Sequence, residues 1–105
     1  MAIDVEASPA TALKALAEPA RWRIVQHLAA EELCVCHLVE ALDMPQPLVS
    51  HHLRVLRDAG VVDTERHRYW TYYRLRPDAL RALAQMLDAV AGHTPPSGER
   101  RRPCC

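Results

Sequence analysis

Apolar residues recur along this chain at two different periods, and the change between them separates helices from a hairpin. From Thr11 to Ala17, Leu13 and Leu16 fall at helical spacing, with Ser8 as a cap and Pro9 as first helical residue. The pattern restarts at Pro19, where Trp22, Ile24, Val25 and Leu28 form a stripe at steps of three and four and predict a second helix. Glu31 to Leu33 reads as a short connection. Val35, Leu38, Val39 and Leu42 predict a third helix, closed at Asp43-Met44-Pro45 because proline cannot continue it. Gln46-Pro47 opens a fourth, with Leu48, Val49, Leu53, Val55 and Leu56 as apolar positions and Gly60 as its stop. Gln46, Ser50, His51, Arg54 and Arg57 make up its polar face.

The period then falls to two. "VVDTERHRYWTYYRLRP" alternates and is rich in β-branched and aromatic residues, which predicts a two-stranded hairpin with a basic tip around Glu65-Arg66-His67-Arg68. Pro77 to Ala91 returns to helical spacing with Leu80, Leu83, Leu87 and Val90 on one stripe. The closing "GHTPPSGERRRPCC" is too rich in proline, glycine and charge to bury a core. The expected division is a folded unit, 1–92, and a flexible tail, 93–105, ending in Cys104-Cys105. No internal repeat interrupts it.

Composition narrows the partners. The chain has 105 residues, half of them apolar and a quarter charged, as in an ordinary globular domain or one protomer of a dimer. Neither a signal peptide nor a membrane-spanning run is visible, so the expected location is the cytoplasm, without membrane attachment. In that reducing compartment the spacings Cys34-Val35-Cys36 and Cys104-Cys105 point to thiolate ligands or reactive thiols ahead of disulfides. Formal net charge is zero but unevenly spread: residues 1–43 sum to −4, whereas 44–76 sum to +3 with His51, His52 and His67 in addition. The basic portion is the one containing the fourth helix and the hairpin, an asymmetry that points to nucleic acid.

A short helix, a proline-containing turn, a helix with polar and basic residues and then a hairpin describe a winged helix-turn-helix: mainly α, five helices and a small β wing. An α-helix fits the major groove, so the helix start is expected to meet base edges while arginine side chains and the wing hold phosphates: Gln46, Ser50, His51 and Arg54 share one face, and Arg57 with the wing residues Arg66, His67 and Arg68 are further expected DNA contacts. His51 and His52 are both expected to meet phosphate or bases. The competing reading is a merely solvated polar face. No glycine-rich phosphate loop, carboxylate pair or positioned base suggests an enzyme.

The stretches "LAEPARWRIVQHL", "ELCVCHLVEALDMPQPLVSHHLRVLRDAGVV" and "RYWTYYRL" together resemble the ArsR/SmtB family of metal-responsive repressors over about residues 10–90, and the E-L-C-V-C element most resembles its arsenic-sensing branch. The resemblance implies a homodimer built on the first and last helices that binds operator DNA without a cofactor and leaves it when an inducer, As(III) or Sb(III), binds. The apolar stripes of those two helices agree with such a seam. In the arsenic branch the motif is C-V-C-x-x-C; here Cys34 and Cys36 carry over, while Val39 stands at the third position.

Residues two apart on a regular helix point about 200° apart and cannot share an ion. The Cys34/Cys36 pair is therefore expected where a loop enters the third helix, with extended backbone at Cys34 and exposed N–H groups favouring thiolate. Soft thiolates select thiophilic ions. The third donor is expected from Cys104, Cys105 or a solvent thiol ahead of the adjacent His37, since arsenite prefers sulfur. The alternatives are sensing of another soft metal (Cd, Pb, Hg), thiol redox sensing, and two cysteines that simply pack. A zinc site on the last helix is not expected, because Asp78, Asp88 and His93 do not make a four-ligand set.

Overall fold

The computed structural model describes residues 9–98, 100 and 101. Among them are five helices and one hairpin: α1 (Pro9–Leu16), α2 (Pro19–Ala30), α3 (Val35–Leu42), α4 (Gln46–Asp58), β1 (Val62–His67), β2 (Trp70–Leu75) and α5 (Pro77–Gly92). This is the expected winged helix-turn-helix. Ser8, the expected cap, and Cys104-Cys105 lie outside the described residues.

Local chemistry explains the boundaries. Pro9, Pro19, Pro47 and Pro77 each fall at the first or second position of a helix, where the missing N–H costs nothing and φ is already set. Glu18 caps α2, its carboxylate accepting the Arg21 backbone N–H at 3.0 Å. The stop at Gly60 is a paired one: Val61 N–H reaches Leu56 C=O at 3.0 Å and Gly60 N–H reaches Arg57 C=O at 3.0 Å, with Gly60 at φ 79°. A residue without Cβ suits that left-handed turn. α3 ends the same way on Asp43, at φ 53°, a conformation that aspartate tolerates better than most non-glycine residues.

The core lies between α2, α3, α4 and the base of the wing. Ile24, Leu38, Val49, Leu53, Leu56, Val61 and Val62 are fully buried there, each burial contributing about 1.5–3 kcal/mol. Several residues expected on apolar stripes are instead substantially exposed, among them Leu13 on α1, Trp22 on α2 and Leu48 at the start of α4. Trp22 borders an open apolar groove of about 540 Å³ between α1, α2 and α5, lined also by Leu13, Leu16, Leu80, Leu83 and Leu87. Of the α5 stripe only Leu83 is buried, and Leu87 and Val90 face outward.

The strands pair antiparallel from Val62↔Leu75 to His67↔Trp70. The tip is therefore Arg68-Tyr69, and Glu65, Arg66 and His67 belong to β1, so the turn is tighter than the sequence pattern implies. Arg68 turns it at φ 60°. The connection before α3 is more than a loop: Leu33 exchanges both backbone hydrogen bonds with Tyr73, at 2.7 and 3.2 Å, adding a third short strand position beside the wing.

Candidate thiol site and nucleic-acid interface

Cys34 is the N-cap of α3, with extended backbone at φ −91° and ψ 171°, and Cys36 is the second residue of the helix. Because Cys34 is off the helical screw, the two side chains converge instead of diverging, and their sulfurs lie 2.9 Å apart. Cys34 is buried and Cys36 exposed, so the pair opens to solvent on one side. The Leu33–Tyr73 bridge fixes the backbone just before Cys34.

Ionisation is divided between the two thiols. Burial opposes the Cys34 thiolate, but a hydrogen bond from the Cys36 thiol and backbone N–H groups at the start of α3 outweigh it, holding Cys34 below the ordinary thiol range. Cys36 shifts upward, chiefly because its proton is held by Cys34. The thiolate form is thus favoured at Cys34 over Cys36. With metal–sulfur bonds of about 2.3 Å in a tetrahedral site, two thiolates stand about 3.8 Å apart, so the pair must open by about 0.9 Å, within reach of small side-chain rotations.

His37 completes a group that the sequence argument ranked low. Its Nδ1 lies 3.2 Å from Cys34 Sγ and accepts the Cys34 backbone N–H at 3.1 Å. Among the described residues, Cys34, Cys36 and His37 are the one group of three or more potential ligands close enough to hold an ion. His37, the third helical residue, reaches back to the N-cap N–H as in a capping box; with Cys and His in place of the usual Ser/Thr and Glu/Gln, only the three-residue spacing is present in the sequence. Val39, at the third cysteine position of the arsenic-branch motif, packs against the core and offers no donor. Around α5, Asp78 pairs with the N-cap residue Arg76 at 3.2 Å, and at the C-cap His93 Nδ1 lies 2.7 Å from Ala89 C=O.

On α4, Gln46, His51, Arg54 and Arg57 are exposed and Ser50 is half-buried. Arg66, His67 and Arg68 are exposed on the wing. Arg54, Arg57, Arg66 and Arg68 form no ion pair among the described residues, whereas Arg74 is taken by Asp63 at 2.6 Å and Glu65 at 2.8 Å. His52 corrects the sequence reading. It is buried against α2, its Nδ1 3.2 Å from Arg21 Nη1 and 4.0 Å from Glu18. Position 52 completes the 49, 52, 53, 56 stripe of α4, so helical periodicity puts it on the core side.

A model of the family described as bacterial regulatory protein, arsR family, matches residues 18–64. The chain is 42% identical over 84 residues to the arsenic resistance transcriptional regulator ArsR1 of Pseudomonas putida KT2440, covering 79% of this chain and 66% of ArsR1. It is 49% identical over 79 residues to the HTH-type transcriptional repressor SmtB of Mycobacterium tuberculosis, covering 75% of this chain and 57% of SmtB. The matched stretch is less than two thirds of either relative's length. Among solved structures, a possible transcriptional regulator for arsenical resistance superposes with a TM-score of 0.69 at 34% identity, covering 81% of this chain and 98% of that one. The homodimeric winged helix-turn-helix DNA-binding domain of a possible ArsR-family regulator from Mycobacterium bovis superposes with a TM-score of 0.66 at 28% identity, covering 88% and 86%. With the winged fold and a solved relative matched over nearly its whole length, the chain belongs to the ArsR family of bacterial regulatory proteins, a family of transcriptional regulators and not of enzymes.

Proposed function

We propose that this protein is a homodimeric repressor that binds operator DNA in the cytoplasm and releases it when trivalent arsenic or antimony binds the thiolates of Cys34 and Cys36. The observation that carries the reading is the pair of sulfurs 2.9 Å apart at the first turn of α3. α3 packs directly on α4, so an ion at that turn bears on the reading helix. Support for the arsenic branch comes from the names of ArsR1 and of the solved regulator, together with a thiol pair suited to a soft ion.

In this reading Gln46, Ser50 and His51 face base edges, while Arg54, Arg57, Arg66, His67 and Arg68 engage phosphates. The dimer forms through α1 and α5, whose groove leaves Leu13, Trp22 and Leu87 about half exposed in one protomer. DNA binding needs no cofactor. The third arsenic ligand is a solvent thiol or one of Cys104 and Cys105 on the tail.

The ion releases DNA by binding the DNA-incompetent shape more tightly, and couplings of this kind are about 1–3 kcal/mol, or roughly 5- to 150-fold in affinity. The test is an operator-release titration with arsenite under reducing conditions. Cys34→Ser and Cys36→Ser should repress normally, since no DNA contact is lost, but should fail to release. Normal release from the double variant would refute the site.

A further inference from the structure

Resting on the reading of α4 as the DNA-reading helix and of α1 as part of the dimer seam, we infer that Arg21 is a positioning residue for operator binding, a latch that ties the end of α1 to the middle of α4 through the neutral ring of His52. Its Nε donates to Ala15 C=O at 2.7 Å, and its Nη1 lies 3.2 Å from His52 Nδ1. Ala15 belongs to the last turn of α1, whose carbonyls no intrahelical N–H reaches, so the guanidinium caps that helix. A guanidinium offers donors and no acceptor, so His52 Nδ1 accepts and carries no proton.

The placement of the latch decides what it can set. Arg21 is itself held, its backbone N–H donating to the Glu18 carboxylate at the start of α2, so a fixed point on α2 grips two helices through one planar fork. His52 shares the buried face of α4 with Val49, Leu53 and Leu56. Ser50 and Arg54, each two positions away, point about 200° from it, toward the DNA side. A pull at position 52 therefore moves the reading face relative to α1, and across the dimer it sets the spacing and tilt of the two reading helices on their half-sites.

Such a latch opens in acid. The charged groups bearing on His52 are Glu18 and Arg21 from the start of α2 and His51 beside it on α4, with the two histidine ring centroids 5.6 Å apart. From α1, Lys14 and the Ala15 backbone line the cleft that also holds Arg21 and Asp58, and from α3 and β1 the residues of the shared core are apolar, Leu38, Leu42 and Val62. A proton on Nδ1 removes the acceptor and sets two cations face to face, with the Glu18 carboxylate at 4.0 Å as the new partner. Glu18 is held below the ordinary carboxylate range, chiefly by the Arg21 N–H, and stays ionised to take that role. Burial holds His52 below the ordinary 6.5, so the latch is closed at neutral pH. Operator binding requires the closed form, so affinity is full above that value and falls as pH drops through the lowered pKa, opposite to exposed His51 and His67, whose protonation favours phosphate.

The experiment measures binding of the full-length, reduced protein to a duplex that the wild type selects from a random pool, and to a scrambled duplex, at about pH 7.5 and about pH 5, with circular dichroism to verify folding at each. The variants are Arg21→Lys, which keeps the charge but loses the fork, His52→Leu, which removes the acceptor, and His52→Gln, whose amide oxygen accepts from Arg21 without titrating. At about pH 7.5, Arg21→Lys and His52→Leu should lose operator affinity by roughly 5- to 150-fold while holding the scrambled duplex as the wild type does, and His52→Gln should bind the operator normally. At about pH 5 the wild type should weaken by about threefold or more relative to His52→Gln, because the exposed histidines titrate alike in both. An affinity ratio of wild type to His52→Gln that is the same at both pH values would overturn the inference. Arg54→Ala, measured alongside, separates the two readings: weakened binding there with unchanged binding in Arg21→Lys and His52→Leu overturns the latch alone, whereas unchanged binding in all three overturns the reading helix and the latch with it.

Discussion

Leu87 offers a quantitative test of the dimer, because in the isolated protomer it is 53% exposed at the rim of the apolar groove. Full burial of a leucine side chain is worth about 1.5–3 kcal/mol, so covering its exposed half contributes about 0.8–1.5 kcal/mol. A two-fold interface counts the residue twice, giving about 1.5–3 kcal/mol and a dimer dissociation constant weakened by about 10- to 150-fold in Leu87→Ala. Leu87→Glu goes further, since it would bury an unpaired carboxylate in the seam. The assay is sedimentation velocity across a concentration series, with circular dichroism to verify that the protomer remains folded. Leu87 is better suited than Leu83, which is already buried within its own protomer, so that a substitution there tests the core as well. Both Leu87 variants dimerising like the wild type would refute the assignment of this groove to the interface.

On the reading helix, Arg54→Ala should weaken binding to any DNA sequence and lower the salt slope by about one, whereas Gln46→Ala should chiefly relax sequence preference, as measured by fluorescence anisotropy over a range of salt. Identical behaviour of the two would contradict the division between phosphate and base contacts. His52 supplies a pH dependence: burial holds its pKa below the ordinary 6.5, Arg21 and His51 add to that shift, and Glu18 opposes it. Below pH 6.5 the unfolded chain takes up a proton that the folded protein refuses, so stability is full above that value and falls as pH drops toward the lowered folded pKa. Urea unfolding of wild type and His52→Gln at about pH 7.5 and about pH 5.5 should show a smaller acid loss in the variant; equal losses would show that His52 contributes nothing to it.

Much was settled by the sequence alone, because it depends on residues near one another in the chain. Proline positions, the Gly60 stop and the change of apolar period determined all five helices and the wing, and the Cys-Val-Cys spacing placed Cys34 at the entry to α3 through the geometry of the helix itself. What tertiary structure decided is which face of each element meets another. Leu48 and Trp22 fit apolar stripes yet remain substantially exposed, because no second element covers them within one protomer. His52 looked like a partner for DNA beside His51, but α2 brings Arg21 and Glu18 against it, and only packing supplies those neighbours. The Leu33–Tyr73 bridge joins residues forty positions apart through backbone atoms common to every residue type, so no side-chain pattern announces it. His37 stands between these cases: its spacing from Cys34 is a local signal, but that its ring nitrogen reaches both the Cys34 N–H and the Cys34 sulfur is a matter of three-dimensional distance.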